Sequence, residues 1–170
     1  RTMFQKGKLD NIKREMERVS INILGVSEVR WTGAGLITSE KHTIIYSGGD
    51  NHERGVGIIE DEAISKSIKG YLAISDRILL VKMKGQPIDI NIIQVYAPTS
   101  DSSEEDLDKF YTDMEMAKKH CKPDEATIIS GDFNANVGYG EIEGVVGTFG
   151  LGTRNEIGEQ LIEWAKINNM

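Results

Sequence analysis

Short, nearly continuous apolar runs alternate with helical patterns along this 170-residue sequence. Such runs are typical of β-strands covered on both faces, because a buried strand has no side that must stay polar. The sequence Gly85-Gln86-Pro87 separates two of them and predicts a hairpin. The runs occupy residues 21–29, 41–49, 55–61, 76–84, 88–98 and 126–134.

Helical patterns precede, separate and follow these runs. Residues 102–121 begin with serine and acidic residues and end near Lys118 and Lys119, as a capped helix does. Residues 158–167 predict a helix at the end of the chain. Together with the strands, the helices predict one layered α/β domain over residues 1–170. The apolar stripe of the first helix consists of Leu9, Ile12, Met16 and Val19.

Composition and charge exclude several classes of protein. The single cysteine, Cys121, excludes a disulfide framework and favours a reducing compartment. No apolar run approaches the roughly 20 residues of a membrane span, and the N-terminus lacks the apolar core of a secretion signal. The formal charge of −7 excludes a generally basic surface, so nucleic-acid binding would require a metal or local basic patches. Two such patches are Lys6, Lys8, Lys13 and Arg14, and Lys118, Lys119 and Lys122.

Polar side chains stand where the buried strands end. Glu28 follows one apolar run, Tyr96 ends another, and Asp132 and Asn134 follow a third. Ligands of α/β folds commonly bind outside strand ends, and carboxylate and amide oxygens suit Mg²⁺ or Mn²⁺. Taken singly, each residue also has a structural interpretation. Glu28 fits a cap or salt bridge, Asp132 and Asn134 fit a turn, and Tyr96 fits a boundary aromatic.

Four short motifs follow one another along the chain: SEVRW (27–31), GVGI (55–58), VYAPT (95–99) and GDFNA (131–135). Together they resemble the endonuclease/exonuclease/phosphatase superfamily of DNase-I-like proteins. Two longer stretches, SEVRWTGAG (27–35) and LGTRNEIGEQLIEWAKINN (151–169), are similar to the endonuclease domains of RTE-type LINE retrotransposons and to a host protein resembling such a domain. The resemblance implies a layered α/β sandwich.

The resemblance assigns a role to each polar residue at the strand ends. It implies that Glu28 binds the metal and that Tyr96 lies near the scissile phosphate. Asp132 would activate the attacking water, and Asn134 would hold that water or the phosphate.

Further residues resemble secondary contacts of the family. Asn155 matches a region that contacts phosphate, and Arg77 matches an arginine that begins a core strand and is more structural than catalytic. Trp31 is a candidate for stacking on DNA, or for filling a loop.

The resemblance therefore implies a Mg²⁺- or Mn²⁺-dependent DNA endonuclease of retrotransposon origin. The alternatives are a non-catalytic remnant that serves as an interaction module, and a phosphatase of a small phosphorylated substrate. The chain starts past the family's first strand and stops before its last strands, so we expect exposed sheet edges and self-association. It also stops before the family's late histidine, and we expect His42, His52 and His120 on the surface or in loops.

Overall fold

A computed structural model describes Met3 and residues 7–170, which form two compact units. The first unit contains the chain up to Tyr96 together with Thr112–Gly131, and the second contains Ala97–Tyr111 and Asp132–Met170. The elements in chain order are α1 (Lys8–Val19), β1 (Ile23–Ser27), β2 (Ala34–Ser39), β3 (His42–Ser47), β4 (Val56–Asp61), α2 (Glu62–Ser65), β5 (Ile68–Ser75), β6 (Ile78–Met83), β7 (Ile90–Tyr96), α3 (Glu104–Lys119), β8 (Ala126–Asp132) and α4 (Glu156–Ile167).

The strands form two sheets of four. The first sheet has the order β1-β4-β3-β2 and is antiparallel throughout. The second has the order β5-β6-β7-β8, and β6 is antiparallel to both of its neighbours. One buried cluster joins side chains of both sheets and forms the core between them. It contains Ile45, Val56 and Ile58 from the first sheet, and Leu79, Val81, Met83 and Ile92 from the second.

Strand β1 approaches β7 closely beside this core. Gly25 of β1 lies so near Gln94 of β7 that a Cβ atom on Gly25 would stand 2.0 Å from the Gln94 side-chain oxygen. Gln94 is buried, and its oxygen accepts a hydrogen bond from the Ser130 hydroxyl at 3.1 Å. A larger residue at position 25 would therefore require the Gln94 side chain to move.

Helix α1 covers the other face of the first sheet. Three residues of its predicted apolar stripe pack as expected: Met16 packs with Ile44 and Ile59, and Leu9 and Ile12 lie against the same cluster. The fourth, Val19, is 46% exposed at the end of the helix. Burying a side chain such as Met16 contributes roughly 1.5–3 kcal/mol. The apolar side chains of α1 therefore hold the helix against the first sheet.

The second unit has a smaller apolar centre. Phe110, Ile162 and Trp164 are buried, and the Tyr111 ring lies 6.2 Å from the Trp164 ring. Burial raises the pKa of the Tyr111 hydroxyl. Helix α4 begins at an asparagine cap, Asn155, as its sequence pattern requires.

Most of the predicted elements are confirmed, and two strands were missed. All the apolar runs form strands, and the hairpin at Gly85-Gln86-Pro87 joins β6 to β7. The missed strands, β2 and β5, are the outermost strands on one side of each sheet. Their side chains are largely exposed or half-buried, so neither strand shows a continuous apolar run.

Two predictions about charged and titratable residues are wrong. Lys13 is buried and pairs with Asp10 at 3.0 Å and Glu40 at 2.7 Å, so it does not belong to a solvent-facing basic patch. The hydrogen bond to Glu40 raises the pKa of Lys13. Lys6, from the same predicted patch, lies outside the described residues. His42 is buried because it begins β3, a strand covered on both faces. Among the described helices, none is long and apolar enough to span a membrane.

Candidate active-site residues

Glu28 stands on a strained turn directly after β1. Its φ is 55° and that of Arg30 is 58°, and left-handed backbone is uncommon for both residue types. Two backbone hydrogen bonds hold the turn: Val29 N–H donates to the Gly55 carbonyl at 3.0 Å, and Arg30 N–H donates to the Arg54 carbonyl at 2.7 Å. A strained residue persists only where its surroundings over-determine it, and such residues cluster at functional sites.

The Glu28 carboxylate is bound on both oxygens. Arg30 donates to Oε2 at 2.9 Å, and the Tyr96 hydroxyl donates to Oε1 at 3.3 Å. The Glu28 side chain is 36% exposed and that of Arg30 is 41% exposed. The salt-bridge interpretation of Glu28 is therefore realised, and the same carboxylate remains open to solvent and to a ligand.

Arg77 supports Tyr96. Tyr96 N–H donates to the Arg77 carbonyl at 2.9 Å, and Arg77 Nη1 donates to the Tyr96 carbonyl at 3.0 Å. The guanidinium also lies 5.3 Å from the centre of the Tyr96 ring, a cation–π distance. These contacts agree with the structural role expected for Arg77.

Trp31 packs against its own unit. Its ring meets Tyr46 edge-on, with 5.0 Å between the ring centres, and it lies beside the cluster under α1. The backbone approaches closely here, because a Cβ on Gly48 would stand 1.8 Å from the Trp31 carbonyl oxygen. These contacts fit the loop-filling interpretation of Trp31.

Asp132 and Asn134 form a compact turn in the second unit. The Asp132 side chain accepts a hydrogen bond from Asn134 N–H at 3.0 Å, and Asn134 Nδ2 donates to the Ala97 carbonyl at 2.8 Å. Ala97 N–H donates to the Asp132 carbonyl at 2.8 Å. Asn134 has a φ of 47°, a conformation that asparagine tolerates better than most residues. The turn interpretation of this segment is therefore realised, and the Asp132 carboxylate is exposed to solvent.

Asn155 organises the start of α4. Its side-chain oxygen accepts hydrogen bonds from Gly158 N–H at 2.8 Å and Asn136 N–H at 3.0 Å. The residue also lines a cavity of about 290 Å³ in the second unit. Hydroxyl groups from the segment before α3 line the same cavity, namely Thr99, Ser100, Ser102 and Ser103.

The donor chemistry suits a hard divalent cation. Glu28 and Asp132 offer carboxylate oxygens, and Asn134 offers an amide oxygen once its nitrogen is committed to Ala97. Over Met3 and residues 7–170, no group of three or more histidine, cysteine or acidic side chains is positioned to hold a metal. Glu28 in the first unit and Asp132 in the second are each exposed enough to offer a carboxylate oxygen to a ligand.

Sequence reasoning missed two parts of this arrangement. Arg30 binds the Glu28 carboxylate although the two residues are only two positions apart, and that contact depends on their left-handed backbone. The Ala97 carbonyl that orients Asn134 is main chain and carries no sequence signal. The motif SEVRW contains Arg30, so the residue was visible and its contact was not.

Curated sequences resemble this chain over nearly its whole length. Craniofacial development protein 2 of Bos taurus is 41% identical over 165 residues, and that of Tragulus javanicus is 39% identical over 165 residues. Each match covers 96% of this chain, which spans 28% and 29% of those proteins. No protein-family model matches the sequence. The predicted resemblance to a host protein is confirmed.

Solved structures of low identity share the fold. The AP endonuclease LMAP of Leishmania major has a TM-score of 0.64 at 11% identity, over 96% of this chain and 62% of that one. The endonuclease domain of TRAS1, a telomere-specific non-LTR retrotransposon, has a TM-score of 0.59 at 13% identity, over 98% of this chain and 68% of that one. An endonuclease/exonuclease/phosphatase family protein of Leptotrichia buccalis has a TM-score of 0.51 at 10% identity, over 79% of this chain and 63% of that one. The chain therefore has the fold of these DNase-I-like proteins, as its motifs predicted.

Proposed function

We propose that this chain is a metal-dependent DNA endonuclease domain of retrotransposon origin, which nicks DNA by hydrolysing a phosphodiester bond. The observation that carries the proposal is the strained Glu28, whose carboxylate binds the Tyr96 hydroxyl while staying open to solvent. Two further observations support the retrotransposon origin: the sequence of the chain at 27–35 and 151–169, and its structural similarity to the TRAS1 domain.

Each residue would perform one part of the hydrolysis. Asp132 would take a proton from water as general base while the water oxygen forms the new bond to phosphorus. The bond to the 3′ oxygen breaks, leaving a 3′ hydroxyl after protonation and a 5′ phosphate. Asn134 would orient the water or a phosphate oxygen, and Tyr96 would position the phosphate. A bound Mg²⁺ or Mn²⁺, held by Glu28, would supply charge stabilisation.

Two other functions remain alternatives. A non-catalytic interaction module is favoured by the ion pair that Arg30 already makes with the proposed metal ligand. A phosphatase of a small phosphorylated substrate would use the same groups. Turnover of inositol polyphosphates in place of DNA would favour the phosphatase.

The proposed reaction implies DNA as one partner, and the exposed sheet edge implies a second copy of the chain as another. DNA would be the substrate, and its presence would place the chain in the nucleus or the cytoplasm. Weak contacts to phosphate would come from exposed lysines, with Asn155 beside the hydroxyl-lined cavity as a further candidate. Leu36 and Ile37 are 43% and 40% exposed on the edge strand β2 and would support self-association. A monomer in light scattering would contradict the self-association.

Nicking of supercoiled plasmid tests the proposal. We expect nicking in Mg²⁺ or Mn²⁺ that is lost with a chelator and lost in Asp132→Asn. The matched control is Asp124→Asn, which removes an exposed carboxylate elsewhere and should nick normally. Nicking that survives complete chelation, or that survives in Asp132→Asn, would contradict the proposed function.

A further inference from the structure

A loop in the second unit, residues 136–155, exposes large apolar side chains to solvent. Phe149 is 96% exposed, Leu151 is 79% exposed and Tyr139 is 70% exposed. A soluble domain normally covers such side chains, and an exposed apolar cluster marks a binding surface. The loop follows directly after the Asp132–Asn134 turn.

Hydrogen bonds close the loop from its base to its tip. Asn155 N–H donates to the Asn136 carbonyl at 3.1 Å, and Tyr139 N–H donates to the Gly152 carbonyl at 3.1 Å. Near the tip, the N–H groups of Ile142 and Val146 donate to each other's carbonyls at 3.0 and 2.8 Å. The two limbs are therefore paired along their length.

Glycines let the two limbs approach more closely than other residues could. A Cβ on Gly150 would stand 1.9 Å from the Gly138 carbonyl oxygen, and one on Gly138 would stand 2.5 Å from the Arg154 nitrogen. Gly138 also has a φ of 71°, in the left-handed region. Arg154 adds a side-chain hydrogen bond to the Val137 carbonyl at 2.8 Å. These contacts define the conformation of the loop, in which the side chains of Tyr139, Phe149 and Leu151 are exposed to solvent.

The charges of the loop argue against a role on the phosphate backbone. Its charged residues are Glu141 and Glu143 near the tip and Arg154 at the base. Acidic side chains repel phosphates, whereas uncharged flat rings stack on the faces of bases. The chemistry of the loop therefore suits the bases of a nucleic acid.

The position of the loop in the chain matches this ligand. Four residue steps separate Asp132 from the loop base at Asn136, a span of at most about 14 Å. Successive nucleotides of a duplex strand lie about 3.4 Å apart along the axis. A strand bound at Asp132 would thus bring nucleotides that flank the scissile phosphate to the loop.

We propose that the 136–155 loop binds unstacked bases beside the scissile phosphate, with Phe149 and Tyr139 as stacking platforms and Leu151 as an apolar flank. This inference rests on the proposed DNA endonuclease function, and it adds that the preferred substrate has unpaired or displaced bases near the nick. A continuous, fully stacked duplex would leave the rings without a partner.

Binding to two single strands of equal charge tests the inference without cleavage. One strand of about 16 nucleotides carries bases throughout, and the other has abasic residues at its centre, so that the phosphates are the same. We expect the chain, in chelator and low salt, to bind the base-bearing strand about tenfold more tightly by fluorescence anisotropy. Phe149→Ala should abolish that difference, and Tyr139→Ala should reduce it.

Matched variants separate stacking from other effects. Thr148→Ala changes an exposed neighbour in the same loop, and Tyr71→Ala removes a half-exposed aromatic side chain from β5. Both should retain the preference for bases, and the salt dependence of Phe149→Ala should equal that of the unmodified chain. Equal binding of the two strands by the unmodified chain, or no binding of either, would overturn the inference, and the loop would then fit a protein partner. Binding with the expected preference but without nicking in Mg²⁺ would contradict the proposed catalysis alone.

Discussion

The β1–β4 pair has a glutamate at each end, and the two are held in opposite ways. Glu60 pairs with Ile23 in the strand register, is fully buried, and within the described residues has no hydrogen-bond partner on either oxygen. Glu28 follows Ser27 at the other end, is half-exposed, and has a partner on each oxygen. Both cost stability, Glu60 through desolvation and Glu28 through left-handed backbone. Burial alone therefore does not distinguish Glu28, the proposed metal ligand, from Glu60.

Substitution of Glu28 should give the largest effect and separate activity from stability. We expect Glu28→Gln to lower nicking by at least about 10²-fold, because a metal ligand supplies several kcal/mol of transition-state stabilisation. Glu28→Gly should be equally inactive yet more stable by about 1 kcal/mol, since glycine adopts a φ of 55° without strain. Nicking assays and urea unfolding provide the two readouts.

The control for Glu28 is Glu53→Gln, which removes an exposed carboxylate of the same unit. It should leave nicking and unfolding unchanged. A Glu28→Gln variant that nicks at the unmodified rate would remove Glu28 from the proposed site.

Glu60 should control stability with a defined pH dependence. Burial raises the pKa of Glu60 to about 7, with a further contribution from Asp61. The folded protein keeps this proton while the unfolded chain releases it above its ordinary pKa of 4.5. Stability is therefore fully present below about pH 4.5 and falls until about pH 7, by about 3 kcal/mol in total. Glu60→Gln should remove that loss, so its advantage should be largest at about pH 8.

Urea unfolding at several pH values measures this difference, with Glu62→Gln as the exposed neighbour that should behave like the unmodified chain. The comparison is made between variants because other carboxyls shift the opposite way. Hydrogen bonding to Asn91 lowers the pKa of Glu125 to about 2. A stability difference between Glu60→Gln and the unmodified chain that does not grow from acid to neutral pH would refute the assignment.

Arg30 should have the smallest effect of the three, since it positions Glu28 and does not contact the substrate in the proposed reaction. We expect Arg30→Ala to lower nicking about tenfold and to change the Mg²⁺ concentration needed for half-maximal rate, as the loss of a group that orients a metal ligand does. Arg30→Lys keeps the charge and should recover most of the activity. If both variants lose activity equally and their Mg²⁺ dependence is unchanged, Arg30 acts in another way.

The sequence was informative where periodicity and burial coincide. The stripe that contains Leu9, Ile12 and Met16 predicted α1, and the continuous runs predicted the core strands, because these residues pack in the interior. Strands β2 and β5 were missed because glycine and polar residues interrupt their apolar runs, such as Thr38 in β2 and Lys69 in β5. His42 was placed wrongly because a polar residue at the start of a strand gives no sign of what covers it.

The candidate site, too, could be predicted from the sequence only in part. The residue types Glu28, Tyr96, Asp132 and Asn134 could be selected from motifs, and their roles remain proposals. Their local partners could not be predicted, because the Arg30 contact depends on two backbone angles and the Asn134 contact on a carbonyl of Ala97. The exposed ring of Phe149 was also hidden, since the glycines around it read only as turns.

The close approach of Gly25 to Gln94 has a consequence for the residues at the ends of β1 and β7. It lies three residues before Glu28 and two before Tyr96, so the two strands that carry this hydrogen-bonded pair approach each other closely just before they end. A side chain added at position 25 would have to displace the Gln94 amide, and with it the hydrogen bond from Ser130, while leaving every residue at the strand ends unchanged.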